Sequence, residues 1–241
     1  MPTPTIVLVH GAWADGSSWS RVAPTLRAQG LTVLTPPNLL RGVPVDAPYV
    51  ASFVAQRTSG PVVLVGHSYG GFVITNAASG GDVRALVYVD AFVPDEGETV
   101  FQILGGSGSA LDVPDPTAVL DLAGYPSAPE GDVEAFLKPD TVHQSFAQDL
   151  TEEDRWLIVQ SQRPITLSAN LTPSGAAGWK NLPSWAVVGT DDRVIPPDTQ
   201  RHMAERAGAT ITDAASSHVS MVSHPQVTID AILAAVAAVG D

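Results

Sequence analysis

The feature that most constrains this chain is Gly66-His67-Ser68-Tyr69-Gly70-Gly71, set between an apolar run and a helical pattern. The run before it, Pro61–Val65, is continuously apolar, as expected for a parallel strand buried on both faces. The segment after it reads as a helix from Tyr69 to about Ser79. A turn this sharp needs glycine on either side, because a Cβ there would meet the neighbouring strand or helix. It lifts the Ser68 hydroxyl above the sheet at the head of a helix, whose free N–H groups favour negative charge. Ser68 is therefore the candidate nucleophile.

Strand and helix signals alternate on both sides of this turn. Strands are predicted at Ile6–Val9, Leu31–Leu34, Val83–Val89, Trp185–Val188 and Thr210–Thr212. Helices are predicted at Ser17–Ala28, from about Ala47 to Arg57, at Pro197–Ala207 and at Pro225–Val239. Such alternation with buried strands implies an α/β fold, a doubly wound and mostly parallel sheet that binds ligands beyond the carboxyl ends of its strands. The alternation lapses between Asp90 and about Pro183, where no core strand is evident. Ninety structureless residues would be implausible in a compact domain. The segment is read as a mainly helical cap insertion at about 95–182, with helices at Val133–Leu137, Val142–Asp149 and Glu152–Gln160, inside a single domain spanning 1–241.

A serine hydroxyl needs an adjacent base. Of the six histidines, His10 and His67 sit in glycine turns, His143 in the insertion, His202 within a helix and His224 at the start of one. His218 alone follows the last strand directly, in a loop that returns to the carboxyl edge of the sheet. The base needs an acid to hold its tautomer. Asp191 and Asp192 both follow the strand Trp185–Val188, and one of them can face His218 while the other faces solvent. The backbone N–H groups of Ala12, in the turn after the first strand, and of Tyr69 are the expected donors to an oxyanion.

With these residues in place, the chain resembles the α/β-hydrolase superfamily, and within it the small esterases grouped with plant hydroxynitrile lyases and methyl esterases. The matching pieces are Leu8-Val9-His10-Gly11-Ala12-Trp13, the Ser68 turn, Val89-Asp90-Ala91-Phe92-Val93-Pro94, Gly189-Thr190-Asp191-Asp192 through Pro196, and Ser217-His218. The resemblance implies a Ser68–His218–Asp192 triad, with Asp192 at the fourth place of G-x-x-D, and a sheet of about six strands without the first hairpin. Lyases of that group carry a threonine beside the oxyanion turn and a lysine after the catalytic histidine. Gly11 and Val219 stand in those places here.

Composition removes other classes. The formal charge of −13 disfavours nucleic acid and anionic membrane surfaces as partners. No cysteine is present, so there are no disulfides or thiolate metal sites. No signal peptide is evident, and the apolar stretch Ala231–Val239 is too short to span a bilayer, so a cytoplasmic location is expected. Neither metal nor cofactor is called for. The expectation is a hydrolase of small-molecule carboxylic esters or lactones, with Trp13 and Trp156 as candidate substrate-binding residues; Trp179, Phe146 and Leu104 could line the same pocket or pack the cap. Cofactor-free oxygenation, carbon–carbon cleavage and ligand sensing on the same fold are the alternatives, and the oligomeric state is left open.

Overall fold

A computed structural model describes residues 3–240. Strands β1 (Thr5–Val9), β2 (Thr32–Leu34), β3 (Val62–His67) and β4 (Val83–Val89) precede the insertion, whose own short strands are β5 (Leu120–Ala123), β6 (Glu134–Leu137) and β7 (Ile165–Thr166). After it come β8 (Ser184–Gly189) and β9 (Thr210–Ala214). The centre of the fold is a six-stranded parallel sheet in the order β2-β1-β3-β4-β8-β9. Every residue of β1 and β3 is buried. Their Val, Ile and Leu side chains pack against helices on both faces, which is why these segments read as unbroken apolar runs. The chain steps from β1 to β2 on one side and then returns to β3 on the other. The crevice between β1 and β3 is thus the switch point where a sheet of this kind takes its ligand.

The flanking helices depart from expectation where proline intervenes. In place of one helix over Ser17–Ala28 there is a short 3₁₀ turn, Gly16–Trp19, and then a helix, Ala23–Ala28, with Pro24 in its first turn. Proline has no N–H to continue a helix but fits its first turn. The helix expected from Ala47 begins earlier, at Val43, for the same reason: Pro44 lies in its first turn. The helix after the Ser68 turn covers Gly70–Ala77, and the last one Pro225–Gly240.

The insertion between β4 and β8 is built mainly of short helices, but it also carries a small sheet that the sequence did not suggest. Its three strands form an antiparallel sheet in the order β5-β6-β7. The helix expected at Val133–Leu137 is therefore corrected to a strand. Ala135 and Leu137 are buried while Glu134 and Phe136 are only partly so, an alternation with the period of two that belongs to strands. Val142–Phe146 winds as a π-helix, and Glu152–Ser161 is an α-helix as expected. Among the described residues no helix is long and apolar enough to cross a membrane.

Candidate active site

Five strand ends converge on one point. The turn after β1 brings Gly11 and Ala12, β3 leads into Ser68, β4 into Asp90, β8 into Asp192 and β9 into His218. Ser68 holds the left-handed φ of 53° that the sharp turn imposes. The glycines around it are sterically required. A Cβ on Gly66 would stand 2.6 Å from the Gly70 carbonyl oxygen, and one on Gly70 would stand 2.5 Å from that of Val9. On Gly71 it would stand 2.0 Å from the Phe92 carbonyl oxygen. Gly11 approaches just as closely, since its Cβ would lie 2.7 Å from Ser68 Cβ. A threonine cannot stand at that position without moving the nucleophile turn.

The three residues singled out in the sequence form one hydrogen-bonded chain. Ser68 Oγ lies 2.8 Å from His218 Nε2, and His218 Nδ1 lies 2.6 Å from Asp192 Oδ2. All three side chains are buried. Burial opposes charge on both members of the His–Asp pair: it lowers the imidazole of His218 and raises the carboxyl of Asp192. Donors aimed at Asp192 pull the other way. Its Oδ1 accepts from the N–H groups of Val194 (2.7 Å) and Ile195 (3.0 Å), and its Oδ2 accepts from Gln200 Nε2 (2.7 Å). The Nδ1 proton of His218 therefore points at Asp192, which leaves Nε2 as an unprotonated acceptor facing the serine. Asp191 takes no part. It is exposed, and it serves through its backbone, its N–H donating to Ser216 O (3.0 Å) and its carbonyl accepting from Gln148 Nε2 (2.7 Å).

Ala12 and Tyr69 both line the cavity that opens above Ser68. Among the hydrogen bonds of the described residues, neither of their backbone N–H groups has an acceptor, so both remain free for a ligand oxygen. Two buried polar anchors hold these donors in place. His10 Nδ1 donates to Gly11 O (2.8 Å) while its Nε2 accepts from Asn38 N–H (3.0 Å), which fixes the first turn. The Tyr69 hydroxyl donates to Asp46 Oδ2 (2.8 Å), and Asp46 also accepts from the N–H groups of Arg41 and Gly42. His67, read in the sequence only as a turn residue, hydrogen-bonds through Nε2 to the carbonyl of His218 (2.8 Å) and so fixes the backbone of the candidate base.

The cavity above Ser68 has a volume of about 180 Å³. Cap residues such as Leu104, Leu111, Leu120 and Ala135 roof it, so the insertion covers the serine as expected. Trp13 is in its wall, held by a hydrogen bond from its indole Nε1 to Ala135 O (2.9 Å). Leu104 lines the cavity, whereas Trp179 packs elsewhere, donating to Pro94 O (2.8 Å). Trp156 is not in the wall. It is 42% exposed, on the outer face of Glu152–Ser161 with its ring against His143, while the next two residues on that helix, Leu157 and Ile158, turn toward a second cavity. Its assignment as a substrate-binding residue is withdrawn: a helix turns by about 100° per residue, and an aromatic side chain in a cap sequence does not disclose which face it is on.

A further buried carboxylate, Asp90, escaped the sequence reading even though it lies in one of the matched segments. Its Oδ2 accepts from Ser220 N–H (2.7 Å), in the turn after His218, and its Oδ1 has no partner. Burial and the nearby Asp192 push its carboxyl well above the usual carboxylate range. Among the described residues no group of acidic, histidine or cysteine side chains is arranged to hold a metal ion.

Known proteins are similar to this chain in sequence and in fold. The chain is 40% identical to a carbendazim-hydrolyzing esterase of Nocardioides sp. (strain SG-4G) over 111 residues, a stretch covering 41% of this chain and 46% of that protein. It is 26% identical to methylesterase 2 of Arabidopsis thaliana over 95% of this chain and 94% of that protein. In three dimensions it superposes on polyneuridine aldehyde esterase with a TM-score of 0.77, at 19% identity, covering 97% of this chain and 99% of the other. The sequence profile of the Alpha/beta hydrolase family matches residues 6–231, and the chain belongs to that family.

Proposed function

We propose that this protein is a carboxylic ester hydrolase in which Ser68 is the nucleophile, His218 the general base and then acid, and Asp192 the residue that orients His218. The observation that carries this reading is the buried chain Ser68 Oγ–His218 Nε2 (2.8 Å) and His218 Nδ1–Asp192 Oδ2 (2.6 Å), opening into an apolar cavity. The related esterases support the choice of substrate class.

The reaction follows from the geometry. Ser68 Oγ–H donates to the neutral Nε2, and as the oxygen attacks the ester carbonyl its proton passes to His218. The carbonyl oxygen becomes an oxyanion between the N–H groups of Ala12 and Tyr69, and each such donor is worth about 10²–10³ in turnover. The imidazolium formed is stabilised by Asp192 and gives its proton to the departing alkoxide. Water, activated by the same histidine, then releases the acid from Ser68. Nothing in these steps needs an oxidant. Ser68-dependent turnover of an aryl ester without oxygen therefore separates this reading from cofactor-free oxygenation.

The test is a fluorophosphonate label followed by peptide mass spectrometry, together with hydrolysis of 4-nitrophenyl butyrate. The adduct is expected on the peptide containing Ser68, and hydrolysis is expected to vanish in Ser68→Ala. A label placed elsewhere, or hydrolysis that survives Ser68→Ala, overturns the assignment.

A further inference from the structure

The site has two cavities and one thin wall between them. The first, of about 180 Å³, contains Ser68 and both free N–H donors. The second, of about 320 Å³, is lined at its inner end by Phe146, Leu150, Val219 and Met221. Its outer end is polar, with Ser17, Ser18 and the Arg21–Asp154 pair, in which Arg21 Nη2 donates to both carboxylate oxygens (2.9 and 3.0 Å). Trp13 is common to the two linings. The Phe146 ring stands edge-on to Trp13, with centroids 6.1 Å apart, and packs against the ring of His218 at 5.1 Å. Trp13 is fixed in place, its backbone N–H donating to Arg163 O (3.0 Å) and its indole to Ala135 O (2.9 Å). Phe146 has no polar anchor. It ends the π-helix Val142–Phe146, a winding that recurs at functional sites.

We propose that the second cavity seats the alcohol part of the ester, and that Phe146 limits how large that part can be. This rests on the ester-hydrolase reading and assigns its leaving-group side. When the acyl carbon–Ser68 Oγ bond forms and the carbon–alkoxide bond breaks, the proton taken from Ser68 must travel through His218 Nε2 to the alkoxide oxygen. The alcohol must then lie on the His218 side of the scissile bond. Phe146 covers the His218 ring on that side, and Val219, the residue after His218, lines the cavity beyond it. The acyl group stays on Ser68 after the alcohol has gone, and it fits the more enclosed apolar cavity that contains Ser68. The alcohol departs into water, and the polar outer end of the second cavity suits that exit. The preferred alcohol has an apolar body and tolerates a polar group at its far end.

The experiment compares hexyl butyrate with methyl butyrate, which share one acyl group. The quantity read is the ratio of their kcat/KM values in wild type and in Phe146→Ala, with folding checked by circular dichroism. Removing the ring, which covers His218 and stands against the shared Trp13, is expected to open the second cavity toward the scissile bond, and the ratio is expected to rise by about tenfold or more, the scale set by placing a few methylenes in an apolar pocket. Adding Ser161→Trp, which fills the second cavity from its far side, should return the ratio toward the wild-type value. If Phe146→Ala does not fold, Phe146→Leu is expected to shift the ratio in the same direction by a smaller factor. An unchanged ratio in a folded variant overturns the proposal. So does a variant that gains on methyl hexanoate over methyl butyrate instead, because that result would put the acyl chain behind Phe146. A wild type without Ser68-dependent hydrolysis of methyl butyrate overturns the ester-hydrolase reading and this assignment with it, a result distinct from an unchanged ratio.

Discussion

Replacing Asp192 by Asn exchanges one carboxylate oxygen for an amide N–H₂ while keeping the shape of the side chain. Four donors surround this residue: Val194 N–H and Ile195 N–H at Oδ1, and Gln200 Nε2 and His218 Nδ1 at Oδ2. The asparagine oxygen stays with the two backbone donors, since they cannot turn away. Its amide nitrogen then faces Gln200 and His218. Gln200 can adapt, because its Oε1 is buried without a partner and a flip presents it to the new amide. That flip gives up the bond from Nε2 to Ile195 O (2.8 Å). His218 can adapt only by moving its proton from Nδ1 to Nε2. The nitrogen facing Ser68 at 2.8 Å then carries a proton and cannot accept another. Loss of the correct tautomer lowers turnover by about 10⁴, or about 5.5 kcal/mol of transition-state stabilisation at 1.36 kcal/mol per tenfold. The effect on stability is much smaller, under about 2 kcal/mol, since one hydrogen bond is lost while a buried charge is removed. Turnover of 4-nitrophenyl butyrate and urea unfolding of the same preparations separate the two effects. Asp191→Asn, whose side chain is exposed, should stay within about twofold of wild type. An Asp192→Asn variant that keeps more than about a tenth of wild-type turnover would refute the tautomer argument, as would an Asp191→Asn variant that loses as much.

Three further outcomes are expected. Mandelonitrile should release no cyanide above background: Gly11 has no room for a side chain beside Ser68, and the buried Val219 after His218 supplies no ammonium for a departing anion; cyanide release that disappears in Ser68→Ala would contradict this. Asp90→Asn should make the protein more stable than wild type at neutral pH, with an advantage that shrinks toward pH 4. The folded carboxyl of Asp90 is raised, so the wild type loses stability as pH climbs above the unfolded value of 3.8, by up to about 1.4 kcal/mol per pH unit, until the folded group ionises. The substituted amide keeps an oxygen for Ser220 N–H and has nothing to titrate; urea midpoints at pH 4.5 and 7.5 that differ equally between the two proteins would show the reasoning to be wrong. Gly71→Ala should lower the melting temperature by at least about 6 °C, the result of about 2 kcal/mol or more of overpacking, because its Cβ meets the Phe92 carbonyl at 2.0 Å. Gly97→Ala, at φ 84° in open space, should lower it by roughly half of that or less; equal effects at the two glycines would count against the close-approach argument.

What the sequence by itself determined is what is local in the chain. The buried strands declare themselves because both faces are covered, so a run such as Val62–Val65 needs no partner to be recognised. The Ser68 turn is legible because its glycine pattern lies directly between an apolar run and a helical pattern, even though Val9 and Phe92, which crowd Gly70 and Gly71, come from other strands. The triad acid and base are legible because a parallel sheet delivers every strand end to the same edge, so Asp192 after β8 and His218 after β9 must be near Ser68. What only the tertiary structure decided are pairings between segments far apart in the chain. The cap sheet joins Leu120–Ala123 to Glu134–Leu137 and then to Ile165–Thr166, three segments too short for a pattern of their own. Trp156 and Phe146 look alike as cap aromatics, yet one faces outward and the other rests on His218, because the packing of helix and π-turn sets the rotation. His67 looked like a turn residue and Asp90 had no assigned role until the fold brought the loop around His218 against them. Their partners lie more than a hundred residues away, and burial by a distant segment leaves no mark on the residues beside it.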